Sequence, residues 1–308
     1  MKEIERIINQ NILPESFFQE ETRDGFVVTE SRKKLWGILL DLLLKFDEVC
    51  KNNDLRYFLS CGSMLGAVRH KGFIPWDDDI DVCMPREDYD RLLTLSDEFR
   101  SPYFLQTPYT DKNSAYSFAK LRNSNTTQAS KNFIFQDFNH GILMDIFPLD
   151  KWDSSDKIAF DTIKYLALEN STYMRKENPI LSEYDRRRVK IWSGIDSLTI
   201  FEIIQKIAKK YSNVETDCVA IAVCSLLKYE NNLCQIDDFS DSVMEYFEGY
   251  EFPVPCGYDR VLKNYYGDYM EFPPMEKRGV WHSDLLIDVD TPFDEYVNNY
   301  RRDVVTYS

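Results

Sequence analysis

Apolar residues recur with helical spacing between Ser31 and Lys51, where Leu35, Ile38, Leu39, Leu42, Leu43, Phe46 and Val49 share one face. A long helix is predicted there. Asp41, Lys45, Asp47 and Glu48 lie in the same stretch, so it reads as an amphipathic helix and not a membrane span. Tyr57-Phe58-Leu59 reads as a short buried strand, and Ser63 to His70 as a helix following a Gly62-Ser63 turn. Gly72 and Pro75 break the chain. Asp79-Ile80-Asp81-Val82 then alternates charged and apolar residues, as a half-buried strand does. Pro85 ends that strand and opens an amphipathic helix, Arg86 to Phe99. Further strands are expected at 103–106, 116–122 and 142–147. From Ser154 to Tyr229 the pattern turns helical, with Leu198, Phe201, Ile204, Ile207 and Ala208 forming a packing stripe. Pro253 to Gly279 mixes Pro, Gly and aromatics around a short helix near 257–266. This order predicts an α/β (α+β) fold, a small mixed sheet flanked by helices with its chemistry on the rim. The expected units are a catalytic core over 25–152, a mostly helical lobe over 153–250, and a segment over 251–308 that packs back on the core.

The chain has 308 residues, 37 basic and 52 acidic, for a net charge of −15. A general binder of nucleic acid or anionic membrane needs a basic face, so this balance argues against one. One local basic pocket for a diphosphate stays compatible with it. The amino terminus is charged and broken by Pro14, without the apolar run of a signal peptide. No window has the apolar length of a transmembrane helix. These features predict a cytoplasmic protein. Peripheral membrane contact and oligomeric state stay open. The seven cysteines form no C-x-x-C pair, so neither a disulfide framework nor a zinc knuckle is expected.

The chemistry concentrates in residues 60–90. Asp77, Asp78, Asp79 and Asp81 place four carboxylates within five positions. Like charges repel and cannot enter a core unpaired, and a divalent cation removes the repulsion. Strand parity puts Asp77, Asp79 and Asp81 on one face, able to hold one or two Mg²⁺ ions through hard oxygen ligands, with Mn²⁺ as a substitute. Asp78 has the opposite parity and caps, pairs with a base or faces solvent. A solvated acidic loop is the plain alternative. A calcium loop starting at Asp77 fails, because Val82 stands where the turn glycine belongs and Asp88 where the closing glutamate belongs. Upstream, Gly62 and Ser63 form a small-residue turn at a helix amino end, where N–H groups can approach a phosphate. Arg69 and His70 follow; His70 either donates to a phosphate, orients a carboxylate or is structural. Lys120 and Arg122 share parity and point together at an anion, or are surface bases on an edge strand. Asp145, alone in Ile142-Leu143-Met144-Asp145-Ile146-Phe147, needs a metal or a basic partner, or is a paired structural aspartate. Trp76 stacks on a ligand or anchors the packing.

The stretch GSMLGAVRHKGFIPWDDDIDVCMPREDYDRL resembles the LicD family of phosphotransferases, related to fukutin. SFAKLRNSNT around Lys120, MDIFPLD around Asp145 and the later VPCGYDRVLKNYYGDYMEFPPMEKR extend the similarity over about residues 25 to 282. The resemblance implies a nucleotidyltransferase-like fold and transfer of an alcohol phosphate, phosphocholine above all, from a CDP-activated donor to a glycan or lipid-linked glycan hydroxyl. It implies Asp79, Asp81 and Asp145 as catalytic, Asp77, Asp79 and Asp81 as metal ligands, and Gly62, Ser63, Arg69, His70, Lys120 and Arg122 as substrate contacts. Asp145 either accepts the acceptor's proton or completes the metal site. Tyr258, Lys263, Tyr266, Lys277, Arg278 and His282 are implied as acceptor or diphosphate contacts. Transfer of ribitol phosphate, glycerol phosphate or phosphoethanolamine, true nucleotidyl transfer, and an inert binding protein stay open. The acceptor itself, a teichoic acid precursor, a lipopolysaccharide sugar or a capsule repeat, is not distinguished. A lipid-linked acceptor would bring the protein to the inner face of the membrane.

Overall fold

The computed structural model describes residues 2–179, 181–191, 194–223, 228–279 and 285–307. Its spine is the strand Ile142–Trp152, the centre of a seven-stranded mixed sheet. Ile142, Met144 and Ile146 are fully buried, as alternation on a core-facing strand requires. One edge of this strand pairs in parallel with Asp81–Pro85, placing Asp81 opposite Asp145. Ala119–Asn123 pairs with it antiparallel, placing Lys120 opposite Asp145. Phe58–Leu59 lies outside the Asp81 strand, and Tyr103–Gln106 outside the Ala119 strand. The long helix Glu30–Asn52 covers the sheet, burying Trp36, Ile38, Leu39, Leu42, Leu43 and Phe46 completely. Thr29 caps it, its hydroxyl accepting from the Arg32 N–H at 3.3 Å. Asp41 on this helix is buried, not solvated. Arg6 pairs with it and the Tyr103 hydroxyl donates to it at 3.1 Å.

Several expected boundaries shift for physical reasons. The helix expected at Ser63 starts at Cys61, runs to Leu65 and continues as a wider π-type turn from Gly66 to His70. The acidic strand starts at Asp81, so Asp77 and Asp79 stand in the loop that enters it. The helix after Pro85 ends at Leu92, where the Thr94 hydroxyl donates to the Arg91 carbonyl at 2.8 Å. The strand expected from 116 starts at Ala119, because the Ser117 carbonyl is drawn to the Gln205 amide at 2.9 Å.

The segment 153–250 carries the helices Lys157–Met174, Glu183–Ile191 and Ser197–Ala208. It also sends two strands into the main sheet: Cys218–Ala220 beside the spine and Cys234–Gln235 beyond it. A boundary at 250 falls inside the hairpin Ser242–Phe247/Tyr250–Pro255. Buried Arg86 ties helices to sheet, donating to Asp150 at 2.6 and 2.7 Å and to Gln205 at 2.7 Å. Near the end of the chain, Tyr258–Tyr266 packs on the Cys61 helix. Leu285–Asp288 pairs with Thr127–Ser130, and Phe293–Tyr307 covers that pair.

His140 gives the fold a pH dependence. Its Nε2–H donates to the Gln136 carbonyl at 3.0 Å, and its ring stacks on Phe138. Burial, with lesser contributions from Arg122 and Arg301, pushes its imidazole down to about 3. The folded state therefore holds it neutral while the unfolded chain protonates below its ordinary value of 6.5. Stability falls as pH drops through that window, by about 1.4 kcal/mol per unit for this one group. Urea unfolding of His140→Phe should show a flatter profile than the wild type from pH 6.5 down to about 4. Parallel profiles would remove this assignment.

Candidate active site

Two backbone anchors fix the start of the Cys61 helix against the start of the acidic strand. The Ser60 N–H donates to the Asp81 carbonyl at 2.9 Å, and the Ser63 hydroxyl accepts from the Asp81 N–H at 2.9 Å. Cys61, at a φ of 45°, makes the sharp turn between strand and helix. From the other side, the long helix grips the Asp77 carbonyl through the Arg32 guanidinium at 2.6 Å and the Trp36 indole at 3.0 Å. Gly62 lies between these anchors. A Cβ there would sit 2.6 Å from Asp77 Oδ2, so glycine is needed for the carboxylate's approach rather than for an unusual backbone angle.

These anchors crowd the acids. Asp77, Asp78 and Asp79 each offer a carboxylate oxygen within 4.8 Å of the others. Burial and the charges of Asp79 and Asp78 push the Asp77 carboxyl well above its ordinary value. Asp78 turns inward and pairs with Arg32 at 3.8 Å, the base-paired option that its parity allowed. Asp77, Asp79 and Asp81 line one cavity of about 850 Å³. An all-oxygen donor set of this density suits a hard divalent cation such as Mg²⁺ or Mn²⁺. One strand over, Asp145 shares a row with Asp81 and Lys120, and Lys120 is ion-paired with it.

The remaining expected contacts separate into those at the cavity and those withdrawn from it. Gly62 and Arg69 line it, with Cys61, Leu65, Ile74 and Trp76. Ser63 does not: its side chain is buried and its hydroxyl holds Asp81, so it shapes the site from behind. Arg122 is also corrected. It shares a face with Lys120 as parity required, yet it is 1% exposed and donates to Gln106 at 2.6 Å and to the Gly141 carbonyl at 2.6 Å. Its guanidinium is consumed inside the sheet. Lys120 sits against Asp145 and over the Tyr116 and Phe118 rings, so it orients that carboxylate instead of reaching an anion across the cavity. His70 has both nitrogens engaged: Nε2 accepts from Arg69 at 2.9 Å, which leaves Nδ1–H to donate to Asp24 at 2.8 Å. Burial and the Arg69 charge push its imidazole below the ordinary value. It orients a carboxylate and does not face a phosphate. Trp76 is a packing anchor at the cavity edge, with the Arg278 guanidinium 5.0 Å from its ring centre.

The opposite wall comes from a strap after the Tyr258–Tyr266 helix: Tyr266, Asp268, Tyr269, Glu271, Phe272, Pro273 and Pro274. Gly267, at a φ of 71°, turns the chain into it. Arg69 holds the strap through the Tyr269 carbonyl and, at 3.3 Å, the Glu271 carbonyl. Arg278 holds it through the Pro273 carbonyl at 2.8 Å. Of the expected contacts in this region, Tyr266 lines the cavity, whereas Tyr258, Lys263, Lys277 and Arg278 are not among the lining residues; Lys263 pairs with Asp259 at 2.7 Å. His282 lies outside the described residues. Asp268, Glu271 and Phe272 were not anticipated; the signal for them was the glycine after a helix end, followed by Pro273-Pro274.

The family model described as LicD/FKTN/FKRP, nucleotidyltransferase domain, matches residues 54–177, which contain the whole acidic run and Asp145. A lipopolysaccharide cholinephosphotransferase LicD from Haemophilus influenzae is 28% identical over 258 residues, covering 80% of this chain and 93% of that protein. Residues 54–177 carry a LicD-family domain. An uncharacterised protein of Rickettsia prowazekii is 38% identical over 72 residues, 23% of this chain and 25% of its own. One from Rickettsia typhi is 42% identical over 50 residues, 16% of each.

Gly62→Ala tests the crowding directly. The added methyl must displace the Asp77 carboxylate while the helical backbone tolerates alanine. Calorimetric titration with Mg²⁺ should show affinity weakened about tenfold or more at an unchanged melting temperature. Unchanged affinity would separate Gly62 from the ion site.

Proposed function

We propose that the protein transfers an alcohol phosphate, phosphocholine first, from a CDP-activated donor to a hydroxyl of a cell-surface glycan or its lipid-linked precursor, releasing CMP. The observation that carries this reading is the row of Asp77, Asp79 and Asp81 along one cavity, with Asp145 and Lys120 in register on the neighbouring strands. Such a row has no use in a protein that binds neutral glycan alone. The named relative, a lipopolysaccharide cholinephosphotransferase, supports the phosphocholine donor and a glycan acceptor.

In this mechanism Asp77, Asp79 and Asp81 would hold Mg²⁺, which when bound would supply charge neutralisation for the donor's diphosphate and its leaving group. Arg69, whose guanidinium lies on the cavity wall, adds positive charge on the same side. Lys120 holds Asp145 in place, and Asp145 takes the proton of the acceptor hydroxyl. The hydroxyl oxygen bonds to the phosphorus that carries the alcohol, the bond from that phosphorus to the anhydride oxygen breaks, and CMP leaves with that oxygen. The strap supports a cationic alcohol. Asp268 and Glu271 add carboxylates to the cavity lining, which suits a cationic alcohol better than a neutral polyol. Among the described residues no helix is long and apolar enough to cross a membrane. We place the reaction in the cytoplasm, where CDP-activated donors occur, at the membrane's inner face when the acceptor is lipid-linked.

The test is CMP release from CDP-choline, CDP-ethanolamine, CDP-ribitol and CDP-glycerol, with Mg²⁺ or EDTA and a glycan acceptor. CMP should appear from CDP-choline, faster than from the two polyol donors, and EDTA should abolish it. Asp79→Asn should lower turnover at least about a hundredfold with the fold intact. Pyrophosphate release or nucleotide transfer to the acceptor would replace this reading with nucleotidyl transfer. Full activity in EDTA would remove the metal's role.

A further inference from the structure

The helix Tyr258–Tyr266 ends in two tyrosines with different surroundings. Successive helical side chains diverge by about 100°. Tyr265 turns inward, where its hydroxyl lies 3.9 Å from Cys234 Sγ. Tyr266 turns out, is 41% exposed, and lines the cavity that Asp77, Asp79 and Asp81 also line. Its hydroxyl has no hydrogen-bond partner among the described residues. Cys61 and the three aspartates are close enough to act on its phenol electrostatically. A phenol keeps its proton at neutral pH, so Tyr266 is an O–H donor on the wall of a cavity lined by acceptors.

Its position is held by packing. The helix packs on the Cys61 helix, which carries Gly62. The strap that follows closes back on the same helix, the Tyr269 hydroxyl donating to Asp259 at 2.9 Å. A polar hydrogen left over in such a place has a use when an anion enters. With the carboxylates committed to a cation, the strongest acceptors in the cavity are the phosphate oxygens.

We propose that Tyr266 is a further catalytic residue, its hydroxyl donating a hydrogen bond to a non-bridging oxygen of the donor's diphosphate. No proton is transferred; the bond orients the diphosphate and stabilises charge as the anhydride bond breaks. This rests on the reading above that a diphosphate lies at the acidic row.

Tyr266→Phe keeps the ring and removes the donor. Binding of CDP-choline in the presence of Mg²⁺, CMP release, Mg²⁺ binding alone and thermal melting would be measured for this variant, the wild type and Tyr265→Phe. The expected result is CDP-choline affinity weakened about tenfold and kcat lowered at least as much in Tyr266→Phe. Its melting temperature and its Mg²⁺ affinity should match the wild type. Tyr265→Phe should bind CDP-choline normally. Affinity and kcat within about twofold of wild type in Tyr266→Phe would overturn the proposal. If the wild type binds CDP-choline without releasing CMP, the transfer reading fails, and the Tyr266 contact is judged on affinity alone. If the wild type does not bind it, both fall.

Discussion

Asp77, Asp78 and Asp79 repel one another, and the backbone gives them no way apart. The Asp77 carbonyl is held by Arg32 and Trp36 from the long helix, Asp81 is held by Ser60 and Ser63, and Gly62 leaves the space that Asp77 fills. Repulsion of this kind opposes folding unless something positive enters. Arg32 answers Asp78 from inside. The other carboxylates face a cavity, where a cation can answer them. Much of the local architecture reads as the scaffold that keeps this charge in place.

The sheet extends the same logic. Because Asp81, Asp145 and Lys120 occupy one register row, Asp81 and the base-held carboxylate face the same side of three neighbouring strands. Arg122, two residues on, could have added a second cation to that side. Instead it spends its hydrogen bonds on Gln106 and Gly141, so positive charge at the cavity comes from Arg69. Arg69 links floor to wall: it sits at the end of the turn that follows the Cys61 helix and grips the strap's carbonyls. The site is thus closed by contacts between residues some two hundred positions apart in sequence.

The most legible parts of the sequence were those with strong local patterns. The long helix is visible in its apolar spacing, and the acidic row in its parity, although only Asp81 of that row lies within the strand. The LicD motif over residues 62–92 lies within the stretch 54–177 that the family comparison matches. What escaped lacks local signal. Thr127–Ser130 has Ala129 as its single apolar residue, so its pairing with Leu285–Asp288 leaves no periodic trace. The fates of Arg122, Ser63 and His70 depend on partners brought close by tertiary folding: Gln106 and Gly141, Asp81, and Asp24. Parity fixed which way Arg122 points but not what its guanidinium meets. The strap residues Asp268, Glu271 and Phe272 look like an ordinary polar turn until the chain is folded over the cavity.

Anomalous diffraction from crystals soaked in Mn²⁺ and CDP tests the central claim most directly, because it locates the cation without reference to activity. The account predicts an anomalous peak within coordination distance of Asp77, Asp79 and Asp81 carboxylate oxygens, with diphosphate density beside it. A fully occupied peak elsewhere, or diphosphate density in the cavity with no metal at these three residues, would contradict it.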